Sequence, residues 1–228
     1  MNDYKMNIYK DKELRRNNSI NKLKELSIDY IYALPFTYEA SEVKMKSLNE
    51  IIGRYIANII AIQIAFDRLN GCDMEDSLAF FNNLIDNYGV RYYLNDIEKK
   101  NFNNELTEQE LINLTWQYES LNVLAWVLGF KEVLEYPSSV CDSQYLMNII
   151  ACCTCYDEFK DKCNLINIED ILDELYLEYI YHWAARNKKI DPSTKTNCLN
   201  LEVVVERRRA LEWLFSNEKD WNEILLST

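Results

Sequence analysis

The chain has 228 residues, 48% of them hydrophobic and 27% charged, a balance unlike that of a disordered or a membrane-embedded protein. Its formal net charge of −12 disfavours nucleic acid, whose binding draws most of its affinity from lysine and arginine, and suits a basic partner protein. Only 4 Gly and 3 Pro interrupt it, so hairpins must be scarce, and the expected fold is all-α: a single domain over residues 1–228, a bundle of about seven to nine helices.

Residues 1–13 are polar and are expected to be flexible or loosely packed; a signal peptide's apolar run is missing from Met1 to Arg16. Ser19 can cap a short helix through Leu23, and Pro35 then forces the chain out of helical geometry, which makes 28–34 a candidate short extended segment. A second helix is predicted from Ser41 or Ser47 to about Asn70, stopped by Gly71. It is apolar nearly all round, as a central helix would be, with Arg54 and Asn58 as its polar exceptions. Its longest apolar run, Tyr55 to Phe66, is too short and too polar to span a bilayer. Asp73 caps a third helix that ends near Gly89, and the Asn-rich stretch from Val90 to Asn104 has room for one short helix.

Thr107-Glu108-Gln109-Glu110 is a capping box, in which the Thr107 and Glu110 side chains reciprocally satisfy free backbone N–H groups. The helix it opens is predicted to reach Leu128 and stop at Gly129. After the turn at Pro137, one helix is expected from Asp142 to Asp161, another from Ile168 to about Lys188, and a last one from about Leu201 to Phe215. The seven cysteines, an odd number, read as reduced thiols in a cytosol. Cys152, Cys153 and Cys155 fall inside the predicted 142–161 helix without a second pair or a histidine at ligand spacing, so they read as core filling rather than zinc or redox ligands. The sequence shows no signature of a cofactor or metal site: it contains no phosphate-binding glycine loop, H-E-x-x-H or G-x-S-x-G.

Three blocks carry a resemblance: W-Q-Y-E-S-L-N-V-L-A-W-V-L-G at Trp116 to Gly129, I-L-D-E-L-Y-L-E-Y-I-Y-H-W-A at Ile171 to Ala184, and V-V-E-R-R-R-A-L-E-W-L at Val204 to Leu214. With the closing D-W-N-E-I-L-L-S-T they resemble the family called domain of unknown function 4272, over roughly Leu14 to Thr228. The resemblance implies a whole family domain from a mainly bacterial family and supplies no reaction. Three places depart from the family pattern: Arg208 stands where a second histidine is usual, and Asn222 and Ser227 stand where acids are usual.

Two polar constellations are candidates for a binding pocket or a buried network. Thr115, Glu119, Asn122 and Trp126 share a helical face, which sinks Glu119, and Arg207 on the face of Val204, Leu211 and Leu214 is its expected partner, with Arg54 and Arg186 as rivals. Glu178, His182 and Arg186 form a second stripe, in which four-residue spacing lets Glu178 reach the only histidine. In Glu206-Arg207-Arg208-Arg209 the three arginines diverge by about 100° each, so one is expected to face inward. Each constellation has a structural reading, an ion pair that fixes helix register, and a functional one, a pocket for a polar ligand. Two functions follow: a cytosolic protein-binding or regulatory module with an acidic surface, or an enzyme or small-ligand receptor using an interhelical Glu/Arg/His pocket.

Overall fold

The computed structural model describes residues 11–35 and 37–228. Among them the regular elements are all helical: α1 (Lys12–Glu25), α2 (Leu48–Leu69), α3 (Met74–Asn87), α4 (Asp96–Phe102), α5 (Glu108–Trp116), α6 (Tyr118–Val127), α7 (Ser143–Ala151), α8 (Tyr156–Asp161), α9 (Ile168–Ile190) and α10 (Leu201–Phe215). Short 3₁₀ turns lie at Arg91–Tyr93 and Trp221–Glu223. Counting the nearly continuous α5 and α6 as one element gives nine helices among the described residues.

Helix α2 is the axis. Ser47 and Glu50 form its capping box, and fourteen of its residues are buried, including Arg54 and Asn58. The main core gathers α2, α5, α6, α7, the first half of α9 and the second half of α10. A second core, with Leu23, Ile28, Leu34, Tyr176, Ile180 and Val204, joins α1 and the middle of α9. Helix α10 packs chiefly on α9 and α6, and so ties both cores together.

Several local expectations need correction. Helix α1 begins at Lys12, capped by Asp11, whose side chain accepts from the Leu14 N–H at 2.7 Å; Ser19 is buried in mid-helix, and residues 11–13 belong to the cap and first turn. Residues 1–10 of the expected loose segment lie outside the described residues. The charged start hid this helix because its arginines are buried by pairing: Arg15 binds Glu169 at 2.7 Å and Asp173 at 2.9 Å, and Arg16 binds the Tyr176 hydroxyl at 2.9 Å. The 28–34 segment forms no strand; it is an irregular stretch with a turn at Tyr32–Ala33, joined to the loop after α9 by the Asp29 N–H to the Lys195 carbonyl at 2.9 Å.

The expected 107–128 helix is divided at Gln117, and the expected 142–161 helix is divided at Cys152 to Cys155. Carbonyls freed at the second break are taken by side chains that sequence periodicity cannot foresee. Tyr88 donates to the Cys153 carbonyl at 2.8 Å and Lys162 to the Cys152 carbonyl at 2.7 Å. The cysteines therefore sit between helices: Cys152 and Cys155 are exposed, and Cys153 alone of the three fills core.

Helix α6 ends at a close approach of two chain segments. The Leu128 and Val127 carbonyls accept from the Asn164 and Ile166 N–H groups at 2.8 and 3.1 Å. Gly129 allows this: its φ is +83°, and a Cβ there would lie 2.2 Å from the Asn164 carbonyl oxygen.

Candidate functional site

Glu119 lies in the first turn of α6 and faces α10, where Arg207 projects inward from between Val204 and Leu211. Arg207 Nε donates to Glu119 Oε2 at 3.0 Å, and its Nη1 donates to the Glu135 carbonyl at 2.6 Å. The second oxygen of Glu119 accepts the Cys141 N–H at 2.5 Å. Each of the two side chains is about 1% exposed, so this is a sealed pair and not the wall of an open pocket. Its charge-assisted bonds hold α6, α10 and the 130–142 loop in one register.

The Glu178, His182 and Arg186 stripe is split among three environments, which corrects the expected contact between Glu178 and the histidine. Glu178 is wholly buried; neither carboxyl oxygen has a protein hydrogen-bond partner, and Arg207 Nη1 stands 4.0 Å away. Burial pushes its carboxyl well above the usual range, the nearby Arg207 charge only partly opposing this. His182 instead meets α10: Arg208 Nη1 lies 2.9 Å from its Nδ1. A guanidinium can only donate, so Nδ1 is an acceptor and the ring proton is on Nε2. Burial and, second, the Arg208 charge push His182 down to about 4. Arg208 also stacks over Tyr179, 4.2 Å from the ring centre, and lies 3.4 Å from Glu212. Arg186 reaches the other way, to the Thr228 hydroxyl at 2.9 Å.

Two arginines of the Glu206–Arg209 run face inward rather than the one expected: Arg207 and Arg208 are both buried, while Arg209 is half-buried and pairs with Glu206. The reason is that Arg208 has its own buried acceptor, His182, on the facing turn of α9.

Of the six candidate residues only Glu206 reaches an open site. A cleft of about 560 Å³ runs between α5 and α10, with Ile97 and Asn222 also lining it. Its apolar walls include Leu114, Trp116, Leu201 and Val205, and its polar groups are Glu110, Asn113, Gln117, Glu202, Glu206, Arg209 and Asn222. Glu206 accepts from Ser120 at 3.2 Å and from Arg209, and burial raises its carboxyl above the ordinary range. Gln117, at the α5–α6 break, connects the cleft to the core: its Oε1 accepts from Asn58 at 2.7 Å and from the Trp221 indole at 3.2 Å. Asn58 also binds Glu98, which pairs with Arg54. Glu98 in turn belongs to a capping box with Asn95 that buries it. Sequence reasoning saw these residues separately, Glu110 as a cap and Arg54 with Asn58 as polar exceptions, and missed that Gln117 joins them.

The family model described as Domain of unknown function (DUF4272) matches residues 15–224. The chain belongs to that family. No curated protein and no solved structure matches it.

Within this DUF4272 chain, Glu178 and His182 are buried and do not line the cleft. The carboxylates of the cleft are engaged in caps and ion pairs: Glu110 caps α5 and Glu206 holds Arg209. Among the described residues, no group of three or more His, Cys, Asp or Glu is placed to hold a metal ion, and no helix is long and apolar enough to cross a membrane. The cleft presents carboxylates, amide groups and an aromatic wall.

Proposed function

We propose that the protein is a binding module that recognises a basic partner protein through the α5–α10 cleft. The observation that carries this reading is the charge of the cleft. Three carboxylates, Glu110, Glu202 and Glu206, line it against one guanidinium, Arg209, which Glu206 already neutralises. The whole chain adds a net charge of −12, which speeds the encounter with a cationic surface and repels nucleic acid. A cytosolic setting fits the seven free cysteines, four of them exposed.

The test is affinity capture from a native lysate with the wild-type chain and with Val205→Trp, which fills the cleft from the wall of α10. The expected result is a set of partners retained at low salt, released at high salt and lost with Val205→Trp. Equal retention by both proteins would remove the cleft as the recognition site.

A further inference from the structure

We infer that the segment entering the cleft is a peptide bearing a lysine or arginine, with its main-chain carbonyl held at the cleft wall and its cationic side chain between Glu110 and Glu202. This rests on the cleft being the recognition site and adds what occupies it. The first support is a pair of unspent donors. Gln117 is 5% exposed, and its amide nitrogen makes one protein hydrogen bond, to Asn222 at 3.2 Å, leaving its second N–H for an acceptor. Arg209 Nε is buried without a protein acceptor, although another nitrogen of the same guanidinium is tied to Glu206. Buried donors of this kind are normally satisfied, and a cation alone offers them nothing. A peptide carbonyl does.

The second support is the opposite polarity among the other lining groups. Glu110 spends one oxygen, Oε2, on its cap with Thr107, and the other has no protein donor. Glu202 has only the exposed Lys189 at 3.7 Å. Leu114, Trp116 and Val205 supply apolar wall along which a lysine or arginine stem can lie while its charged head reaches a carboxylate. Donors and carboxylates in one cleft match a ligand that carries both an acceptor and a cation. Simple polyamines have the cation and lack the acceptor.

The test measures binding of four capped pentapeptides, Gly-Gly-X-Gly-Gly with X as Lys, Arg, norleucine or Glu, and of spermidine, by calorimetry at low salt. The proteins are wild type, Val205→Trp and the double variant Glu110→Gln/Glu202→Gln; glutamine at 110 keeps the capping geometry. The expectation is that Lys and Arg peptides bind at least about tenfold tighter than norleucine, Glu and spermidine, a gap equal to about 1.4 kcal/mol. The double variant should reduce that preference to near one. Norleucine binding equal to lysine would overturn the cationic side chain, and spermidine binding equal to the peptides would overturn the carbonyl contact. If no peptide binds while Val205→Trp still abolishes lysate capture, this inference fails and the cleft reading stands. If neither result appears, both fail.

Discussion

Arg208 donates to His182 Nδ1 at 2.9 Å across the α9–α10 contact, and thereby fixes the only histidine as a neutral ring protonated on Nε2. The groups around the ring are the cations Arg208, Arg186 and Arg209, with Glu212 on the far side of Arg208. With a folded value of about 4 against an ordinary 6.5, the unfolded chain binds the extra proton between those limits. Stability from this site is therefore complete above about pH 6.5 and is lost as pH falls through 4, by roughly 2 kcal/mol after allowance for solvent screening. The ring signals of a single histidine make the measurement direct by NMR. Titration near 4 in the wild type, shifted toward 6.5 in Arg208→Met, is the expected outcome; a wild-type midpoint near 6.5 would sink the assignment.

The Glu119–Arg207 pair makes a different kind of prediction. Removing one partner leaves a charge with about 1% exposure uncompensated, which costs on the order of 3–5 kcal/mol. Arg207→Met should therefore unfold at much lower urea than the wild type. Adding Glu119→Leu should recover more than half of that loss, because two apolar groups need no partner. A single variant within about 1 kcal/mol of wild type would show that the pair is not sealed.

How much of this was legible in the sequence depends on the range of the interaction. Helix α10 and the Thr107 box were readable because caps and periodicity are local: the predicted Leu201 to Phe215 is the helix found. The Glu119–Arg207 contact was readable too, since Glu119 lies in a largely apolar helix, Arg207 interrupts the face of Val204, Leu211 and Leu214, and a buried charge needs an opposite one. The division at Gln117 was not readable. It coincides with long-range bonds to Asn58 and Trp221, 59 and 104 residues away, and no local residue there disfavours a helix. The cleft was hidden for the same reason: its walls come from α4, α5, α10 and Asn222, segments far apart in the sequence that no local pattern brings together. Glu178 misled because four-residue spacing makes a contact with His182 available without making it the preferred one.

Glu178 should be a cost to the fold at neutral pH. An acid whose value is raised by folding binds more protons in the native chain than in the unfolded one, so stability falls as pH rises above its ordinary 4.5. Glu178→Met, of similar length and without polar atoms, should stabilise by about 1 kcal/mol or more. Its advantage over wild type, read as the difference in Tm, should widen as pH rises above the ordinary 4.5. A constant difference would mean that Glu178 does not change its protonation on folding.

The cysteines test the burial pattern around the break between α7 and α8. Even on a continuous helix Cys153 would point about 100° away from Cys152 and about 160° away from Cys155, so one thiol can be buried while its two neighbours are open. In the structure Cys72, Cys152, Cys155 and Cys198 are exposed, whereas Cys141 and Cys163 are half-buried and Cys153 is buried. Thiolate is the reacting form, and burial pushes Cys163 up to about 12 and Cys141 higher still, so both are slow on two counts. Cys153 is held back by burial despite Lys162 at 3.4 Å from its sulfur. A limiting alkylating reagent at mildly basic pH should therefore add four groups quickly, with the remaining three modified at least about tenfold more slowly until denaturant is added. Peptide mass spectrometry places each group. Slow labelling at Cys152 and Cys155 would mean that the break between α7 and α8 is covered, and labelling of Cys141 as fast as Cys72 would open the loop that seals Glu119.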